Sequence, residues 1–303
     1  MKTSFPSRLE SIDVFRAITM LLMIFVNDLW SLTDVPNWLL HAPAQDDAMG
    51  LSDVVFPVFL FIIGLSIPFA IQSRMVKGAS FFSISLHILE RSFALLVMGV
   101  FIVNFENIMT ESMILPKYAW EVLMVVAFAL VWNLYPRNPE KQILFRILKA
   151  LGYGLLLFLA YIYKGGEVGH LEGMKTHWWG ILGLLGWSYL VCAFAYLLLR
   201  KSEWLLIGFW IFLVLFNFAD FSHWLTFLDD LREHVWIVGS GSLPAFTMAG
   251  VVCSVLYTRY GSKKNLSHIF ILILLGLGVI CLIYGFGTRP LWGISKIRAT
   301  PAW

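Results

Sequence analysis

The chain has 303 residues, 59% of them hydrophobic and 14% charged, with mean hydropathy +0.78 and a formal net charge of +3. A soluble domain carries about 45–50% apolar and about 25% charged residues, so this composition excludes a water-soluble domain and points to lipid as the solvent. Long, unalternating apolar runs also exclude a β-barrel and leave helices, which satisfy their own backbone groups in lipid. The small net charge gives no sign of a nucleic-acid partner.

The first apolar run, 12–32, contains Asn27-Asp28-Leu29-Trp30 near its end and has no small-residue cleavage site. It reads as a retained first span rather than a signal peptide. Further runs of span length follow at 52–72, 86–104, 119–136, 146–163, 178–199, 203–219, 235–258 and 268–287. The predicted fold class is all-α, a polytopic transmembrane helical bundle of about nine spans. No long polar linker divides it, so 1–303 reads as a single transmembrane domain. Fifteen of the 22 Lys and Arg residues fall in the N-terminal segment and the even-numbered connections, which predicts a cytoplasmic N-terminus. The 33–51, 105–118, 164–177 and 220–234 loops then face outside. Trp132, Tyr135, Trp178, Trp179 and Trp204 stand at run ends, as in an interfacial aromatic belt.

Two segments interrupt the pattern. Gly239-Ser240-Gly241-Ser242-Leu243-Pro244 lies inside the eighth run and has two readings: a broken span lining a cavity, or a kink at a small-residue packing contact. Ile294 to Trp303 reads like the start of another span that then stops, which predicts a truncated chain.

Soluble-enzyme motifs are missing: no Gly-rich phosphate loop, CxxC, HExxH or GxSxG occurs. Cys192, Cys253 and Cys281 lie in apolar runs and read as core residues. The most polar stretch surrounds the first outer loop, with Asn27, Asp28, Asp34, His41, Asp46, Asp47 and Asp53. Polar groups at span ends are costly and suggest function by default. Each also has a plainer reading. Ser52 and Asp53 stand where a helix cap and a first-turn acid would, and Asp46 and Asp47 read as solvated loop charges. His41 is either an idle loop residue or a group able to take and return a proton near neutral pH. No histidine spacing supports a metal site.

Arg8-Leu9-Glu10-Ser11-Ile12-Asp13-Val14-Phe15-Arg16 and Met23-Ile24-Phe25-Val26-Asn27 form a longer pattern with the stretch after His41. That stretch is Gly50-Leu51-Ser52-Asp53-Val54-Val55-Phe56-Pro57-Val58-Phe59-Leu60-Phe61-Ile62-Ile63-Gly64-Leu65-Ser66. The pattern resembles the heparan-α-glucosaminide N-acetyltransferase family, in a bacterial branch often labelled only a domain of unknown function. Ser242-Leu243-Pro244-Ala245 is a weaker echo, while Ala17 stands where the family usually has Gly.

The resemblance implies a membrane acyltransferase that moves an acetyl group from acetyl-CoA, the acyl donor, to the amine of a glucosamine-type sugar, without a metal. It implies His41 as general base or acetyl carrier, with Asn27 and Asp53 as its catalytic companions. Asp28, His177 and Ser242 are the expected substrate contacts. Arg8, Arg16 and Arg74 are the expected cations for the CoA phosphates, although Arg16 has the alternative reading of a pair with Asp13. The expected site faces the outer side of a bacterial inner membrane. Membrane lipids and an amino-sugar or glycan acceptor are the expected partners, and a homodimer is left open. A transporter or flippase of a glycan or lipid-linked substrate, or a non-catalytic relative, is the competing class.

Overall fold

The computed structural model describes residues 9–136, 138–167, 170–230, 238–263 and 265–303, leaving aside the side chains of Trp30 and Glu167. Among them, each of the nine apolar runs contains an α-helix. These are α1 (Glu10–Asp28), α2 (Leu51–Val76), α3 (Phe81–Glu106), α4 (Lys117–Trp132), α5 (Gln142–Ile162), α6 (Ile181–Leu199), α7 (Glu203–Phe221), α8 (Ser242–Leu256) and α9 (Ser267–Trp292). A short antiparallel hairpin, β1 (Gly165–Glu167) and β2 (His170–Glu172), follows α5, with Gly165 opposite Glu172.

Six of these helices are long and apolar enough to cross a membrane: α2, α3, α5 with the turn before it, α6, α7 and α9. The other three differ for identifiable reasons. α1 carries Glu10, Asp13, Arg16 and Asp28, and α4 and α8 have only 16 and 15 residues. None of the apolar side chains of α9 is fully buried and most are exposed, as on a helix with lipid along one face, while Phe270, Ile273 and Leu277 pack against the core.

The chain forms two compact units, one of residues 1–89 with 187–303 and one of residues 90–186. In the first, α2 packs on both α1 and α8, and α7 packs on α8. The α2–α8 contact is close because glycines face backbone on both sides. A Cβ at Gly64 would run into the Thr247 carbonyl, and one at Gly250 into the Phe61 carbonyl. Leu60, Ile62, Ile67, Met248 and Val251 are buried in this unit, and Ser254 Oγ donates to the Leu65 carbonyl at 2.7 Å. Small residues that let helix backbones approach are the usual means of association where lipid is as apolar as the side chains.

The Gly-rich stretch of the eighth run does not kink a helix; it starts one. Gly241 takes a left-handed conformation (φ 88°) as the cap of α8, and Pro244 falls in the first turn, where a missing N–H costs nothing. Asn217 of α7 donates to the Ser240 carbonyl at 3.0 Å and the Ala299 carbonyl at 3.2 Å, so this non-helical backbone has a partner. The first part of that run, 235–237, lies outside the described residues. Residues 293–303, expected to begin a helix, instead make turns. Ser295 N donates to Thr300 Oγ1, and Thr300 N donates back to the Ser295 carbonyl.

In the second unit α4 packs on α5 around Trp120, which is fully buried and donates its indole N–H to the Leu159 carbonyl at 3.1 Å. Phe101 and Phe105 stack against that indole.

Gly250→Leu is expected to destabilise the detergent-solubilised chain by about 1–3 kcal/mol through overpacking against α2. Gly278→Leu, where an added Cβ meets only open space, is expected to leave the thermal midpoint unchanged. Thermal unfolding of the two variants side by side checks both.

Candidate active site

The loop between α1 and α2 lies against the first turn of α2. Leu51 N donates to the Trp38 carbonyl at 2.8 Å, and Ser52 Oγ to the Leu39 carbonyl at 2.6 Å. Gly50 caps the helix, and a Cβ there would enter the Leu40 carbonyl, so only glycine lets the loop come this close. Ser52 is therefore tied to the loop and is not the cap.

Asp53, 1% exposed, uses its two oxygens differently. Oδ2 accepts from Gly50 N and Ala42 N, each at 3.0 Å, which is the reach back to the cap expected of a first-turn acid. Oδ1 accepts from His41 Nδ1 at 2.7 Å. One oxygen of Asp53 thus serves the cap and the loop, and the other holds His41. A carboxylate can only accept, so Nδ1 carries the hydrogen, and in the neutral ring Nε2 is the acceptor. The His41 side chain is 47% exposed, so a substrate group can reach it.

A third group, which sequence reasoning missed, stands at this pair. Lys296 Nζ lies 3.3 Å from His41 Nδ1 and 4.0 Å from Asp53 Oδ1. Burial pushes the Lys296 amine below the usual lysine value, with Asp53 pulling the other way. The Nδ1 hydrogen already serves Asp53, so the lysine acts on the pair as a charge rather than as a donor to the ring.

The segment carrying Lys296 is held from three sides. Asp47 accepts from Arg289 Nε (2.9 and 3.1 Å) and from Ile294 N (2.7 Å). Ser295 Oγ donates to the Ala44 carbonyl at 3.2 Å, and Trp303 Nε1 to the Asp53 carbonyl at 3.2 Å. That last carbonyl is free because Pro57, four residues on in α2, has no N–H to give it. Asp47, expected as a solvated loop charge, is half exposed and yet a clamp. Its carboxyl is held below the usual range by the Ile294 amide and the Arg289 guanidinium.

The remaining expected residues are distributed as follows. Asn27 and Asp28 are exposed at the end of α1, and the Asn27 side chain makes no hydrogen bond among the described residues. Ser242 is buried at the start of α8, its hydroxyl 3.3 Å from that of Ser240. His177 belongs to the second unit, beside Trp179. Arg16 bonds both Asp13 (3.4 Å) and Ser66 Oγ (2.7 Å), and Arg74 donates to His87 Nε2 at 2.8 Å. Arg8 lies outside the described residues.

Comparison with known proteins adds a family to this geometry. Residues 8–165, which is 158 of the 303, match the family model described as heparan-alpha-glucosaminide N-acetyltransferase, catalytic. The heparan-alpha-glucosaminide N-acetyltransferase of Homo sapiens is 37% identical over 102 residues, and that of Mus musculus 34% identical over 103. Each matched stretch is 34% of this chain and 15% of the relative, so the similarity spans a small part of those proteins.

Because the Asp47 pKa is depressed in the fold, its clamp is fully present above the ordinary aspartate value of 3.8. The clamp is lost only as pH falls through the lower folded value. Hydrogen exchange at the Ile294 amide is expected to stay slow as pH falls through 3.8. Asp47→Asn is expected to speed that exchange at every pH above that lower value.

Proposed function

Since the chain belongs to the heparan-alpha-glucosaminide N-acetyltransferase family, we propose that it moves an acetyl group from acetyl-CoA to the amine of a glucosamine-type sugar, with His41 as the general base. The observation that carries this reading is the His41 Nδ1–Asp53 Oδ1 contact of 2.7 Å. It sets the tautomer, aims Nε2 outward and stabilises the imidazolium that forms when His41 takes a proton.

In the proposed reaction the sugar amine attacks the thioester carbonyl and Nε2 takes the proton the amine loses. The tetrahedral intermediate then expels the CoA thiolate, which recovers a proton from His41. Asn27, exposed near the end of α1, donates to the developing oxyanion. In an alternative path Nε2 itself carries the acetyl group as acetyl-imidazole before the amine takes it. Both paths need a neutral imidazole at the start.

Lys296 serves that need. A carboxylate alone beside His41 favours the protonated ring; a nearby ammonium offsets it. Asp28 and Ser242 supply acceptor contacts, and Arg8, Arg16 and Arg74 receive the CoA phosphates. The proposal takes 1–303 as one transmembrane acyltransferase-like domain of about nine spans, N-terminus in the cytoplasm. It is placed in a bacterial inner membrane with His41 on the outer side, and lipids and an amino sugar or glycan are its partners.

Acetyl transfer from radiolabelled acetyl-CoA to glucosamine-terminated sugars, in membranes holding the chain, tests the reading. His41→Ala is expected to lose at least ~10²-fold in rate with expression intact. Equal transfer by that variant would sink the role of His41, and no label with either chain would favour a transporter or a non-catalytic relative.

Lys296→Met is expected to slow acetyl transfer, because the charge that offsets Asp53 beside His41 is removed. Facing His41 are Asp53 and Lys296, with Asp47, Arg289 and Arg298 nearby. Lys296→Arg, which keeps the charge, is expected to keep the native rate.

A further inference from the structure

Lys296 brings a primary amine into the first unit's site, where the proposed reaction uses it only as a charge. Its Nζ lies 3.3 Å from His41 Nδ1 and 4.0 Å from Asp53 Oδ1, and its side chain is 23% exposed. The turn around it limits where that amine can go. The Lys296 carbonyl accepts from Ala299 N at 3.0 Å, and Ala299 takes a left-handed conformation (φ 55°) to close the turn. Ser295 N donates to Thr300 Oγ1 at 3.0 Å, and Arg298 Nη2 donates to the Trp292 carbonyl at 2.8 Å. The backbone on both sides of Lys296 is therefore held, and the amine stays beside the ring.

A lysine in water is a poor nucleophile because it carries a proton at neutral pH. The surroundings of Lys296 act against that proton. Most of the side chain is out of solvent, and Asp53 at 4.0 Å is beyond hydrogen-bond reach. The Asp53 oxygens are already engaged, Oδ1 by His41 and Oδ2 by the Ala42 and Gly50 amides. Burial accordingly holds the amine below the usual lysine value, against the pull of Asp53. Lys175 is the contrast, with its ammonium paired to Glu172 at 2.6 Å. A desolvated lysine is a recurrent form of activated nucleophile.

The electrophile follows from what reaches the ring. The His41 side chain is 47% exposed, and Lys296 flanks it. An acyl thioester that comes to His41 brings its carbonyl carbon near a second nitrogen nucleophile. An aldehyde or ketone at the same place would give only an imine, which water reverses. A thioester gives an amide, which persists.

We propose that Lys296 is a self-acetylation site, whose amine takes the acetyl group of an acyl thioester when no other acceptor is present. Acetyl-CoA as the donor rests on the acetyl-transfer reading; the reactivity of the amine rests on the contacts around it. The neutral amine attacks the thioester carbonyl carbon. The C–N bond forms, the C–S bond breaks, and the thiol leaves with the proton that the amine loses. The product is an uncharged amide, so Asp53 then faces His41 without the lysine's charge.

The test uses S-acetyl-N-acetylcysteamine, a small acetyl thioester without phosphates, so that no CoA site is needed. The full chain in phosphatidylcholine nanodiscs is incubated with it, and acetylation is followed lysine by lysine with peptide mass spectrometry. Lys296 is expected to react on the order of tenfold faster than Lys164, which is exposed. In chain denatured beforehand with dodecyl sulfate, that lead is expected to disappear.

Lys296 reacting no faster than Lys164 would overturn the proposal, as would a lead that survives denaturation, since the folded surroundings would then not be its cause. The same nanodiscs, given acetyl-CoA and a glucosamine-terminated sugar, separate this inference from the proposed function. Label in the sugar with an unreactive Lys296 sinks the self-acetylation alone. A fast-reacting Lys296 without label in the sugar sinks the transfer reading alone.

Discussion

A carboxylate buried to 1% exposure has to be given donors, and the first unit is arranged around giving them to Asp53. The start of α2, the loop before it and the His41 imidazole each supply one. The acid that begins a helix is therefore the acid that orients the candidate base. Any change that moves α2 by a fraction of a turn moves His41 with it. Breaking one partner of such a buried group leaves the others with an uncompensated charge, which explains why the loop backbone and the side chain chemistry are coupled.

The same helix turn also receives the far end of the chain. Pro57 removes one N–H from α2, and the carbonyl it frees accepts the Trp303 indole. The result is a closed arrangement in which a helix defect becomes an attachment point. Asp47 and Arg289 hold the other end of that segment, so Lys296 arrives at His41 between two anchors.

The second unit solves a different problem with similar means. Its apolar part closes around Trp120, and its polar part is a floor of backbone hydrogen bonds organised by the Asn104 carboxamide.

Composition and spacing by themselves determined that the chain lives in lipid and that each of the nine apolar runs holds a helix, because apolar runs repeat along the chain. His41 and Asp53, 12 residues apart, each kept a plainer reading on spacing alone, and only the resemblance to a known family set them in one motif. The α8 start was legible only as an interruption, since Gly241 and Pro244 mark a cap or a kink equally well until the backbone is placed. Asp47, Arg289, Lys296 and Trp303 left no such mark. Their contacts join residues 242 to 255 apart, and nothing local distinguishes a lysine in a turn from one beside an imidazole. Helical periodicity could not help, because in lipid the outer face of a helix such as α9 is as apolar as the inner one. Only the tertiary structure decided which polar groups meet, since that depends on how the helices pack and not on what they are made of.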